Sequence, residues 1–198
     1  MEDNYWIVDE WLIFKPEFND ELDEYYDIIN KYKKIMFSNY DEPLIAIETN
    51  NFFYNKKYSK NYIHNRFNKK IDLSNNINLT HLNFGDCFNQ EIVIPLNLKS
   101  LTMYSDNQYI IDNLHNNIEK LKICNNKLNL NNLPNSIKKL YIQNYNKELN
   151  NLPNSIEYLE LNGYYLKIKK IPKNLKIIKC YKTYKYIDDF KDYEVVYN

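Results

Sequence analysis

Three stretches of this chain repeat one another at a step of nineteen residues. They are LPNSIKKLYIQNYNKELNN from Leu133, LPNSIEYLELNGYYLKIKK from Leu152 and IPKNLKIIKC from Ile171. A fixed period near 20 residues calls for a stacked array, because one short unit cannot bury its own apolar side chains. Counting from Ile94, Leu114, Leu133, Leu152 and Ile171, the eighth position is Leu101, Leu121, Leu140, Leu159 and Ile178. The tenth is Met103, Ile123, Ile142, Leu161 and Cys180. Both alternate with polar residues, which predicts a strand at positions seven to eleven with one face buried. Position two is mostly proline, as at Pro95, Pro134, Pro153 and Pro172, and a proline that cannot donate to a ladder belongs outside the strand. Nineteen residues then hold a corner, a strand and a loop back, with no room for a full helix. Stacked about 4.8 Å apart, the strands form a parallel sheet over one core.

Before the regular copies the pattern loosens. YSKNYIHNRFNKKI (58–71) aligns with LTHLNFGDCFNQEI (79–92) as earlier copies. Residues 1–50 do not follow the period, which predicts a small, mainly helical N-terminal cap over the apolar end of the stack. Leu22, Tyr25, Tyr26, Ile29, Tyr32 and Met36 fall at helical spacing, so a helix is expected over 20–37 with Asn19 as its cap. Leu44–Ile47 reads as a short strand. The domain division is therefore 1–50 for the cap and 51–198 for repeats, with an incomplete last copy from Phe190.

The charge balance excludes strong steering toward nucleic acid or membrane: 26 acids face 26 bases. The balance is uneven, since residues 1–27 hold ten acids and one base, Lys15, and that acidic segment is expected to neutralise the basic remainder in place. With only two glycines, Gly85 and Gly163, a glycine-rich phosphate loop is ruled out. Cys87, Cys124 and Cys180 form neither a disulfide framework nor a metal-ligand pair, and they suit a reducing compartment. The acidic start does not read as a signal peptide and no apolar run reaches membrane length, so a cytoplasmic protein is expected. No catalytic signature, cofactor motif or metal-ligand spacing is found. Asn makes up roughly a sixth of the chain, far above ordinary usage. Asn131-Asn132 and Asn150-Asn151, one repeat apart, are expected to form side-chain ladders between copies.

The spacing Ile137-x-x-Leu140-x-Ile142 resembles the strand core of leucine-rich repeats. So does Ile118-x-x-Leu121-x-Ile123 with Asn126. Phe84-Gly85-Asp86-Cys87-Phe88-Asn89-Gln90-Glu91-Ile92, followed by Ile94-Pro95, resembles the FNIP repeat, a leucine-rich-like repeat expanded in social amoebae and their giant viruses. Phe67-Asn68-Lys69-Lys70-Ile71 is similar to a worn copy. The later copies keep Leu-Pro-Asn-Ser-Ile and lose Phe-Asn. The resemblance spans roughly 58–187. It implies a leucine-rich-repeat-like solenoid with its parallel sheet on the concave face, an irregular convex side, no enzymatic activity and, for a viral member, residence in the host cytoplasm. Many viral relatives carry an F-box ahead of the repeats. The resemblance thus also implies an alternative, a substrate adaptor that recruits a ubiquitin ligase through residues 1–50, with Lys15-Pro16-Glu17 ahead of the expected helix.

In such a solenoid positions seven, nine and eleven face the concave side. Tyrosine is a rigid, large, polar-tipped interface residue, so the expected partner-binding set is Tyr104, Lys120, Lys122, Lys139, Tyr141, Tyr158, Glu160, Lys179 and Tyr181. The partner is read as a protein of acidic or extended character, with nucleic acid a lesser reading because Arg66 is the sole arginine. The competing reading is that Tyr and Lys, both common here, simply leave a solvated face.

Overall fold

The computed structural model describes residues 4–51 and 60–198. Ten strands form one sheet in chain order. They are β1 (Tyr5–Val8), β2 (Trp11–Phe14), β3 (Lys34–Phe37), β4 (His81–Phe84), β5 (Ser100–Met103), β6 (Lys120–Ile123), β7 (Lys139–Gln143), β8 (Tyr158–Asn162), β9 (Ile177–Cys180) and β10 (Glu194–Tyr197). β1 and β2 make an antiparallel hairpin, and each later neighbour is parallel. Helix is scarce among the described residues: α1 (Tyr26–Ile29), α2 (Pro43–Asn51) and α3 (Gln108–Asp112), with short 3-10 turns at Asp23–Tyr25 and Ile187–Phe190.

The register is the one the period predicts. Leu101, Leu121, Leu140, Leu159 and Ile178 lie side by side on successive strands. The same row runs back through Leu82 and Ile35 to Leu12, and forward to Val195. Every member from Leu12 to Ile178 is essentially buried. A parallel strand cannot return through a tight turn, so each coil crosses behind the sheet and contributes a second layer, including Leu98, Ile118, Ile137, Ile156 and Leu175. Together these make one continuous apolar interior.

The N-terminal region corrects the expectation of a separate helical cap. The helix expected over 20–37 is only the short turn and α1, ending at Ile29. Ile35, Met36 and Phe37 are consecutive and all buried, one side against the main interior and Met36 against the opposite face. A helix cannot bury three adjacent side chains in two directions, whereas a strand between two neighbours does. The recruiting helix of the ligase-adaptor reading is therefore not formed. The strand expected at 44–47 is instead part of α2. Pro43 is preset for a first helical position, and the Thr49 hydroxyl bonds back to the Ile45 carbonyl at 2.8 Å.

β2 and β3 carry the first coils. Phe14-Lys15-Pro16-Glu17-Phe18-Asn19-Asp20-Glu21-Leu22 has the spacing of Phe84 to Ile92, and the structure stacks the two with the 67–71 copy between. Phe67 lies 4.0 Å from Phe37 and 5.7 Å from Phe18, ring centre to ring centre, and Phe88 lies 5.8 Å from Phe67. The Asn19 side chain accepts from the Asn68 backbone at 3.0 Å, and Asn68 accepts from the Asn89 backbone at 2.8 Å. The asparagine ladder is thus at the Phe-Asn motif. Asn131-Asn132 and Asn150-Asn151 do not form one: Asn131 and Asn132 are exposed, and Asn150 bonds locally to Glu148.

The second of these coils, the one that starts with β3, is interrupted. The chain leaves it near Asn39 and rejoins at Ile63, whose N–H donates to the Asn39 carbonyl at 2.8 Å. An antiparallel bridge between Tyr40 and Tyr62 closes the excursion, which carries α2. Tyr58 and Ser59, where the sequence alignment starts its first copy, lie outside the described residues. Gly85 is required at the rejoining point, because an added Cβ would sit 2.3 Å from Asn65 Cβ. Of the expected acid–base neutralisation, Glu10–Lys34 at 2.9 Å and Glu21–Lys69 at 3.0 Å are formed.

Candidate interaction face

Strand alternation places two rows on the polar face of the sheet. One contains Ser100, Lys120, Lys139, Tyr158 and Ile177 in register, the other Thr102, Lys122, Tyr141, Glu160 and Lys179. The expected site residues on strands are therefore brought together on one face. They do not share one environment.

Over the early strands the face is roofed by the chain itself. Ala46 of α2 packs with Trp11, Ile13, Met36 and Tyr40, while Ile45, Ile47, Trp6 and Tyr62 close the margin. The roof reaches β6. Lys122 is only 1% exposed and its Nζ donates to the Thr49 carbonyl at 2.6 Å. Burial lowers the Lys122 amine to about 8. Asn83, Ser100 and Thr102 are buried in the same zone. Tyr104 is half-buried, and burial next to Cys124 holds its phenol well above the usual range. Lys122 is thus an internal strut rather than a contact residue. Local alternation identified its face, but nothing local shows that a helix seventy residues upstream covers it.

Beyond β6 the face is no longer covered by α2. Lys120 Nζ sits 5.0 Å from the Tyr141 ring centre, and the Tyr141 and Tyr158 rings are 5.2 Å apart. Lys120 and Lys139 are direct cross-strand neighbours, and neither makes an ion pair among the described residues. Partial burial, then the Lys139 charge, lowers the Lys120 amine. Like charges placed opposite each other on a sheet oppose folding, so an anion between them would relieve both. Glu160 is only 3% exposed, with its carboxylate accepting from Tyr158 Oη at 2.8 Å and Lys179 Nζ at 3.1 Å. It orients its neighbours and offers little surface. Tyr181 stands exposed just past β9.

Burial pushes the Cys124 thiol up to about 11, away from thiolate reactivity. Among the described residues no three His, Cys, Asp or Glu side chains converge to hold a metal ion. A close His–carboxylate pair, His64 with Asp86, lies where the α2 excursion rejoins the coil, and Tyr62 also donates to Asp86 at 2.9 Å. It fastens that junction. No helix among the described residues is long and apolar enough to cross a membrane.

The family comparison agrees with the repeat pattern. Residues 124–164 match the FNIP repeat family, so the chain carries that repeat, and the match falls on the regular Leu-Pro-Asn-Ser-Ile copies rather than on Phe84–Ile92. Among solved structures the chain is similar to CroV588, described as a novel circular LRR protein structure, at 20% identity and a TM-score of 0.46. The likeness covers 92% of this chain and 38% of that one, so the chain spans well under half the length of that relative. Comparison with curated proteins gives no match. Repeats of the FNIP and leucine-rich type generally mediate protein interactions.

Proposed function

We propose that the chain is a non-catalytic protein-interaction module that grips a partner on the open half of its polar face, across β6 to β9. One observation carries this reading: α2 covers the face as far as Lys122, and past that point stand tyrosines and two lysines that make no ion pair among the described residues. The chain's own helix supports the view that the face accepts a peptide segment. Lys120, Lys139, Tyr141, Tyr158, Lys179 and Tyr181 make the contact surface, Glu160 holds Tyr158 and Lys179 in place, and Tyr104 and Lys122 anchor the covered half. The expected partner segment is acidic, to sit between Lys120 and Lys139, and is flanked by groups that pack on tyrosine rings. Free cysteines throughout suit action inside a reducing compartment.

Proximity labelling with the full chain in cells identifies the partner. Purified binding then compares the wild type with Tyr141→Ala plus Tyr158→Ala. The reading predicts a loss of about tenfold or more from the pair, with Lys173→Ala on the far turn unchanged. Undiminished affinity in the double variant, with a normal unfolding midpoint, contradicts it.

A further inference from the structure

The turns ahead of β6, β7, β8 and β9 share a polar pattern that the turns ahead of β4 and β5 break with exposed apolar residues. Four residues before β6, β7, β8 and β9 stand Asn116, Asn135, Asn154 and Lys173, and seven residues before them stand Asn113, Asn132, Asn151 and Lys170. Before β4 and β5 the first of these positions is Ile77 and Leu96, and before β5 the second is Val93. These three are 72%, 70% and 84% exposed, so the interior gains nothing from their apolarity. Isolated apolar residues on a surface need no explanation, but three clustered where the coils of β6 to β9 are polar do. They stand along a groove of about 1020 Å³ floored by Leu22, Ile71, Leu73 and Ile92. Its charged lining is Glu21, Asp23, Asp72 and Glu91 against one base, Lys70, with Glu21 also paired to Lys69 beside the groove. The sign is opposite to that of the open polar face.

We propose that this groove is a second docking site, for a segment of another protein that carries apolar side chains beside lysine or arginine. The apolar groups cover Ile77, Val93 and Leu96, and the basic groups meet the acidic rim. Nothing in the fold links this site to the polar face, so the two readings stand or fall separately.

The test selects short random peptides displayed against the full chain, with counter-selection on the triple variant Ile77→Asn, Val93→Asn, Leu96→Asn. These substitutions copy the residue type of the later coils at exposed positions, so the variant is expected to keep the wild-type denaturant midpoint. Surviving peptides are expected to join apolar residues with Lys or Arg. They should bind the triple variant about tenfold more weakly, lose affinity several-fold when salt rises from about 50 to about 300 mM, and ignore Tyr141→Ala plus Tyr158→Ala. Three results overturn the proposal. Counter-selection leaves no peptide, the survivors are acidic, or sedimentation shows a self-associated chain that the triple variant disperses, which makes the occupant a second copy.

Discussion

The coils before Phe88 and those after Ile94 build the same ladder with different means. In the early coils the aromatic layer is phenylalanine, with Phe37 on Phe67 and Phe84 on Phe88 at 4.0 Å and nearly parallel rings. In the later coils the layer is Tyr145, Tyr164 and Tyr184, more than 6 Å apart. Tyr145 and Tyr184 tie their hydroxyls to the Leu128 and Leu166 carbonyls. The early half is closed on both sides, by its aromatic stack and by α2 over the polar face. The later half is regular, and α2 does not cover its polar face. Regularity and openness go together because an excursion that breaks the period is also what folds back and fills the face. What makes a coil is the strand core and the aromatic behind it; the spacing between strands is adjustable.

That comparison is broken most severely in the early stack. Phe67→Ala removes a fully buried ring between Phe18, Phe37 and Phe88, and is expected to cost about 3–5 kcal/mol in equilibrium denaturation. A loss below about 1 kcal/mol would mean that the stack does not support the early coils. A smaller effect comes from His81, at the foot of the covered face against Trp11. Burial, then the charges of Lys34 and Lys120, holds its imidazole down at about 4. Its unfolded value is higher, near 6.5, so the stability gained from keeping it neutral is fully present above that pH and is lost as pH falls toward 4. Discounted for partial exposure, the loss is about 1–2 kcal/mol. His81→Asn should flatten that acid limb, and an unchanged limb would contradict the burial argument.

The later layer is probed more gently. Tyr145→Phe deletes a buried hydroxyl that bonds to the Leu128 carbonyl at 3.0 Å, so a loss of about 1 kcal/mol is expected. Tyr164 is the contrast, because among the described residues its buried hydroxyl makes no well-formed hydrogen bond, only a weaker approach to the Leu149 backbone. Tyr164→Phe should change stability by less than about 0.5 kcal/mol, or raise it. If the two tyrosines respond alike, hydroxyl tethering does not distinguish the later layer.

From Ile94 onward the fold was legible almost to the residue, since alternation around Leu101, Leu121, Leu140, Leu159 and Ile178 fixes strand, buried face and register together. Before that, the nineteen-residue step fails because α2 is inserted into the second coil, between β3 and β4. The signal that survives is the local Phe14-x-x-x-Phe18-Asn19 motif, which matches Phe84-x-x-x-Phe88-Asn89 without regard to spacing. The polar face was half legible. Strand alternation assigns Lys122 and Tyr141 to it equally, but the roof over Lys122 is a contact between distant segments, and Leu44–Ile47 is too short an apolar run to reveal a helix. The burial of Glu160 depends on Lys179, its neighbour one coil on, which a within-strand reading does not supply.

The central claim is that β3 pairs directly with β4, so that the N-terminal segment continues the sheet across the α2 excursion. Lys34 and His81 are register partners, and Ser100 is one strand further. With Cys87, Cys124 and Cys180 replaced by Ala, Lys34→Cys with His81→Cys should form a disulfide under mild oxidation. Lys34→Cys with Ser100→Cys should not, since parallel strands two apart are separated by about 9.6 Å, beyond disulfide reach. Cross-linking of the second pair, or of neither, contradicts the continuous sheet.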